Sequence, residues 1–426
     1  VTGIADRLAR VTEPLLGGAL PVRIRAWDGS EAGPADAPVL VLNSRRALRR
    51  LLWQPDELGM AQAYITGELD VDGGAQELAE GLRRVWQHAR TAGTGQLQMS
   101  LGQKAKAAAT AVRLGVIGRR PPVPASQATL QGELHSRRRD RAAIAHHYDL
   151  SNEFYGLILD ESMAYSSGYY PTDDTNLVAA QQAKLDLICR KLALQPGMRL
   201  LDVGCGWGSL SLHAAEHYGV QVLGVTISQH QHEFILKRIA ERNLGDRVEV
   251  RVQDYRELRE KPFDAVSSIE MGEHVGEDNY PVYAEALFSH LKPTGRLLLQ
   301  QMSRRSDAAP GGGAFIENYI APDMHMRPLS ETLGFLERAG FEIRDVHALR
   351  EHYVRTVQDW LDTFEDHYSD AVAMVGDEVA RVWRLYLVGG GLSFEEGRMG
   401  VDQILAVRPD DRGGSAMAPT PDWHSA

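Results

Sequence analysis

Five short apolar runs between residues 199 and 302, "LLDVGCG", "VQVLGVTIS", "RVEVRVQD", "FDAVSSIE" and "GRLLLQQM", constrain the fold most. They are rich in Val, Ile and Leu, as strands buried on both faces are, and helical stretches such as "QHQHEFILKRIAERNL" separate the first of them. Strands alternating with helices predict a doubly wound, parallel α/β sheet. Upstream, "PVRIRAWDG" and "PVLVLNS" read as short strands around the turn-rich "SEAGPADAP", which predicts a smaller α+β unit. Two parts are also what 426 residues suggest, since single cores rarely grow beyond about 250 to 300 residues. The expected division is an accessory α+β domain over 1–115, a basic linker over 116–139 in which "RRPP" stops any helix, a catalytic α/β domain over 140–407, and a loose Pro/Gly/Ser-rich tail over 408–426.

The strand–turn–helix "LDVGCGWGSLSLHAA" (201–215) carries glycines at 204, 206 and 208 in a G-x-G-x-G pattern, unlike the G-x-G-x-x-G of dinucleotide folds. Glycines let the backbone approach a ligand closely, and the following helix offers free amide hydrogens to a carboxylate. S-adenosylmethionine suits such a loop; a tight turn with no ligand is the plainer alternative. Asp202 ends the first strand beside Gly204, Gly206 and Gly208. The second strand ends near Thr226 and Gln231, placed for a ribose or the methionine end, and the third ends near Asp254 and Tyr255, placed to bond and stack on adenine. Open α/β sheets bind ligands at the carboxyl ends of their strands, where all these residues fall.

Charge and composition narrow the partners. Hydrophobic residues at 43% and charged residues at 24% describe a globular chain, and a net charge of −11 argues against a nucleic-acid partner. Two cysteines, Cys189 and Cys205, are too few for a disulfide framework and suit a reducing cytoplasm. Neither a signal peptide nor a membrane-spanning stretch is expected. A basic set, Lys104, Lys106, Arg113, Arg119, Arg120, Arg137, Arg138, Arg139 and Arg141, is either a solvated face or a foothold on anionic lipid, with Leu114, Val116 and Ile117 beside it either dipping into the interface or packing between domains. His146 and His147 lack ligand partners at metal spacing, so no metal is expected.

The blocks "HHYDLSNEFYGLILDESMAYSSGYY", "LDVGCGWG", "GVTISQHQ", "QDYREL", "EMGEHVGEDNYPVYAEALFSHLKPTGRLLL" and "YIAPDMHMRPLSE" together resemble the cyclopropane fatty acid synthase family over roughly 140–405, and "GMAQAYITGELDVDG" is similar to its accessory domain. The resemblance implies a class I S-adenosylmethionine-dependent methyltransferase fold, with Tyr165 and Ser166 also touching the cofactor. It implies methyl transfer to the cis double bond of an unsaturated, oleoyl-type acyl chain in a membrane phospholipid, through a carbocation. A peripheral site at the inner face of the membrane follows, with the accessory domain serving lipid approach or contacts in a homo-oligomer. In the family a bound bicarbonate takes the proton, held by a cysteine backbone, a glutamate, a histidine, a main-chain group and a tyrosine. Here Glu273 and Tyr353 match, Ser167 stands at the cysteine position, Gln300 at the histidine position, and Met302 at the main-chain contact.

An uncharged Gln300 alters anion affinity and the timing of proton removal. A longer-lived cation can undergo a 1,2-hydride shift and lose a proton from the new methyl, leaving a methylene branch. Some relatives make such 10-methylene chains, which a flavin or nicotinamide reductase partner converts to 10-methyl, tuberculostearic-type acids. The expected product is therefore a methylene-branched chain. Cyclopropane formation, methylation of an oxygen or nitrogen of a small metabolite, and binding without turnover are the alternatives. The insertion around 303–328 and the C-terminal helices are expected to wall the acyl pocket, with Trp360, Phe364, Trp383 and Tyr386 as a helical, mainly core-facing stripe.

Overall fold

The computed structural model describes residues 3–91, 101–128, 139, 150–420 and 423. The chain forms two compact units, Val1–Gln127 with Phe364–Leu392, and Ala128–Thr363 with Ser393–Ala426.

In the first unit the two alternating runs become β1 (Arg23–Arg25) and β3 (Val39–Leu42), which pair in parallel, with β2 (Glu31–Ala32) and β4 (Leu69–Asp72) antiparallel at the edges. Arg50 is buried here, and its guanidinium grips Glu68 with two bonds of 3.0 and 3.1 Å. The inclusion of residues 364–392 differs from the division read from sequence. Arg381 gives the reason, since its side chain donates to the carbonyls of Tyr64 (2.6 Å) and Leu69 (3.1 Å) and pairs with Asp70. Those carbonyls lie at the end of one helix and the start of β4, polar groups that burial obliges to find partners. Leu114 and Val116 are buried against Ala111, with Ile4, Leu8, Trp27 and Leu48 packed on them, so of the apolar trio beside the basic run only Ile117 is exposed.

The second unit is built on a seven-stranded sheet in the order β10-β11-β9-β8-β5-β6-β7, with β5 (Arg199–Val203), β6 (Gln221–Thr226), β7 (Val248–Val252), β8 (Phe263–Ile269), β9 (Leu291–Arg304), β10 (Glu342–Ala348) and β11 (Met399–Val407). The expected runs are β5 to β9 and pair in parallel, whereas β11 runs antiparallel between β9 and β10. Both faces are covered: Leu200 packs into one apolar cluster, while Leu201 and Val203 pack into the other. That two-sided burial is why these strands lack polar alternation.

The tail also differs from expectation. Asp410 accepts the amides of Arg412 (2.8 Å) and Gly414 (2.7 Å), closing a turn, and Trp423 is buried in the cluster that holds Leu200. Burial of a large indole offsets part of the entropy lost in ordering the polar segment before it. Arg139 forms a two-pronged ion pair with Asp323, at 2.5 and 2.8 Å, rather than facing solvent. Arg137, Arg138, Arg141, His146 and His147 lie outside the described residues. Among the described residues no helix is long and apolar enough to cross a membrane.

Candidate active site

The site is assembled at the carboxyl ends of the parallel strands. After β5 the chain turns through Gly204 (φ 77°), Gly206 (φ 54°) and Gly208 (φ 82°) into the helix Ser209–Tyr218. A Cβ on Gly204 would sit 2.6 Å from Cγ of Met271, so that face of the loop is closed by protein. A Cβ on Gly206 would meet no protein atom within 4 Å. That open face, beside the amides of a helix start, could hold a carboxylate such as that of S-adenosylmethionine.

Thr226 and Gln231 meet as expected at the end of β6, the Thr226 hydroxyl donating to Oε1 of Gln231 at 2.8 Å, and both are buried. Tyr255 follows β7, its ring edge-on to Tyr283. The two aspartates assigned to the cofactor have partners within the chain. The Asp202 carboxylate accepts from Ser211 (2.7 Å) and Ser267 (2.9 Å), so it ties the glycine loop and its helix to the sheet. Asp254 accepts from the Arg256 amide (3.0 Å) and guanidinium (2.9 and 2.6 Å), capping the single turn Tyr255–Glu257. Short carboxylates at strand ends find such local donors readily.

On the other side lies the segment Tyr165-Ser166-Ser167. The Ser166 hydroxyl accepts a bond of 2.9 Å from the buried ammonium of Lys184, whose pKa burial pushes down to about 8, against the pull of Glu270, Asp160 and Asp202. The Tyr165 ring lies 6.4 Å from Trp207 and 5.3 Å from Trp360, and Trp360 lies 5.9 Å from Tyr353. An aromatic wall thus runs from the glycine loop to Tyr353. Trp360, expected to be core, is fully buried and also forms part of it.

Ser167, Gln300 and Tyr353 do converge, but on a residue that the sequence reading passed over. The Ser167 amide (3.0 Å) and the Gln300 side-chain amide (2.7 Å) donate to Oε1 of Glu270, and the Tyr353 hydroxyl donates to Oε2 at 2.7 Å. Gln300 is oriented by Gln403, which donates to its carbonyl at 3.0 Å, and Tyr353 by stacking on Phe394. Glu273 stands beside this cluster, fully buried, with one carboxyl oxygen accepting the Met302 amide and Oε2 without a partner. Burial, and then the neighbouring Glu270, push the Glu273 carboxyl up to about 8. Burial also raises the Glu270 carboxyl, while its three donors and Lys184 oppose the shift. The signal in the sequence was a Glu closing the apolar run "FDAVSSIE", at the carboxyl end of a strand.

The family model described as mycolic acid cyclopropane synthetase matches residues 135–404. The chain belongs to this family. It is 37% identical over 418 residues to a probable fatty acid methyltransferase of Mycobacterium tuberculosis, with 95% of each chain covered. It is 31% identical over 420 residues to a tuberculostearic acid methyltransferase, UfaA1, of the same organism, covering 95% of this chain and 91% of that one. Among solved structures, the mycolic acid cyclopropane synthase CmaA1 complexed with SAH and CTAB superposes with a TM-score of 0.60 at 30% identity, covering 63% of this chain and 98% of that one. The expected class I methyltransferase fold is therefore the observed one, and the chain is an S-adenosylmethionine-dependent enzyme that modifies fatty acids.

Proposed function

We propose that this methyltransferase alkylates the cis double bond of an unsaturated, oleoyl-type acyl chain carried by a phospholipid, and that the product is methylene-branched. The observation that carries the reading is the pairing of a methyl-donor cradle with a carboxylate cluster at the far end of one aromatic wall. An alkene is a weak nucleophile, so the chain's task is to hold the π bond in line with the donor's methyl and to stabilise the cation that forms beside the new carbon–carbon bond. Aromatic faces and a fixed carboxylate do both without competing as nucleophiles for the methyl at a distance. A small hydroxylated or amine substrate would have little use for so apolar a wall.

Two further observations support the methylene outcome over ring closure. The similarity to a tuberculostearic acid methyltransferase runs along almost the whole chain, accessory region included. Gln300 adds no charge to the site and leaves both oxygens of Glu270 already bonded, which slows proton removal and gives a hydride shift time to occur. The terminal alkene so formed is a substrate for a flavin- or nicotinamide-dependent reductase. With its lipid in a bilayer, the enzyme would work at the cytoplasmic membrane surface. Gas chromatography with mass spectrometry of fatty acids from cells rich in oleoyl phospholipid, with and without the protein, tests the proposal. Methylene and cyclopropane products share a mass and differ in retention time and in response to hydrogenation. A cyclopropane product refutes the methylene outcome, and no new lipid refutes the substrate class.

A further inference from the structure

We propose that Glu270 is the general base of this enzyme, a carboxylate of the chain itself standing where a captured anion would otherwise have to bind. The inference rests on the lipid-alkylating reading above and deepens it. The Ser167 amide, the Gln300 amide and the Tyr353 hydroxyl are three of the four donors that the family resemblance would direct at bicarbonate; the fourth, the Met302 amide, is taken by Glu273. Here all three are spent on the two oxygens of Glu270, at 3.0, 2.7 and 2.7 Å. A carboxylate presents the same planar O–C–O as bicarbonate and satisfies the same fork of donors. With that seat filled, a second anion would have to enter against the charge of the first.

The backbone records the same arrangement. Glu270 has φ 49°, in the left-handed region that glycine occupies freely and other residues enter at a cost. A glutamate held there at the end of β8, directly after Ile269, is aimed by the chain itself, and its own amide is fixed by the Gln300 carbonyl at 2.7 Å. Ser167, Gln300 and Glu273 are fully enclosed, whereas Glu270 is only partly buried. Of the two adjacent carboxyl groups, Glu270 has three donors and the Lys184 ammonium nearby, while Glu273 has one donor and an unpartnered oxygen. The two charges repel, and the richer set of donors around Glu270 favours the negative charge there.

In the reaction the alkene's π electrons form a bond to the donor's methyl carbon. The carbon–sulfur bond breaks with its electrons going to sulfur, which becomes a neutral thioether. The positive charge passes to the neighbouring carbon of the acyl chain and, after a 1,2-hydride shift, to the carbon bearing the new methyl. A Glu270 oxygen then takes a proton from that methyl, and the C–H electrons become the double bond of a methylene branch. One cation enters and one proton leaves. No external anion or oxidant is consumed.

The test uses the full chain, S-adenosylmethionine and vesicles of dioleoyl phosphatidylglycerol in carbon-dioxide-free buffer, with and without millimolar bicarbonate. The wild-type initial rate should not change on adding bicarbonate. E270Q should lose at least roughly a hundredfold in rate, with its affinity for S-adenosylmethionine, measured by calorimetry, unchanged. E270G relieves the backbone and empties the seat, so added bicarbonate should restore part of its rate. Titration of 13C-labelled bicarbonate followed by NMR should show saturable binding to E270G and none to the wild type. A wild-type rate that requires bicarbonate overturns the assignment, as does E270Q turning over at the wild-type rate. If E270Q does not fold, the wild-type bicarbonate dependence and the NMR titration decide by themselves. Wild-type protein that alkylates no lipid under either condition overturns the proposed function, and the base with it; lipid alkylation that depends on bicarbonate overturns the base alone.

Discussion

Two alanine substitutions, two residues apart in the glycine turn, separate its folding role from its ligand role. Gly204 and Gly206 both have left-handed φ values, 77° and 54°, so either substitution costs about 1 kcal/mol in backbone conformation. The packing differs. At Gly204 the new methyl would lie 2.6 and 2.9 Å from Cγ and Cβ of Met271, and displacing that side chain adds about 1 to 3 kcal/mol. At Gly206 it would meet nothing of the protein within 4 Å, so no packing penalty follows. Gly204→Ala should therefore lose about 2 to 4 kcal/mol of stability and Gly206→Ala about 1. For a domain of this size each kcal/mol is worth about 2 to 4 °C in Tm. The order reverses for ligand binding: the Gly206 methyl fills the face open to the donor's carboxylate end and should weaken S-adenosylmethionine at least about tenfold, or 1.4 kcal/mol. Thermal unfolding without ligand and isothermal calorimetry with it measure the two effects on the same samples. Wild-type affinity in Gly206→Ala would show that the open face does not meet the cofactor, and equal stability of the two variants would show that Met271 yields without cost.

Tyr353→Phe removes one of the bonds that hold the Glu270 carboxyl down, so its pKa should rise further and the acid limb of the rate–pH profile should move to higher pH, with about a tenfold loss of rate at neutral pH; an unmoved limb refutes the link. Glu273 has its folded pKa raised to about 8 from 4.5, so its contribution to stability is present in full below about 4.5 and is lost as pH rises towards 8. Glu273→Gln should flatten that part of the curve of Tm against pH, and a wild-type Tm that does not fall over this window contradicts the assignment. Arg50→Met in the first unit leaves the buried Glu68 carboxylate without its two-pronged partner and should destabilise that unit by about 3 to 5 kcal/mol in urea unfolding. A loss below about 1 kcal/mol would mean that Arg46, 3.2 Å from Glu68, takes over the charge.

The chain announced its sheet and its glycine turn openly, because both rest on local rules. Runs such as "LLDV" and "VQVLGVT" are apolar on both faces, and such runs joined by helices have one common solution, a parallel sheet with ligands at its carboxyl ends. The positive φ of Gly204, Gly206 and Gly208 is likewise a local demand that the sequence meets with glycine. Ser167, Gln300 and Tyr353 could be named from sequence only through resemblance, since they come from segments far apart in the chain. What the tertiary structure decided is where their donors point. Hydrogen bonds act over about 3 Å, and nothing in residue spacing reveals that Glu270 rather than Glu273 lies within that distance of all three. Nor does spacing tell that Asp202 and Asp254 turn to Ser211, Ser267 and Arg256, or that Trp423 folds back into the core. Periodicity is written along the chain, whereas the partner of a buried charge is chosen by packing between segments, and in this protein that choice placed a carboxylate at the centre of the site.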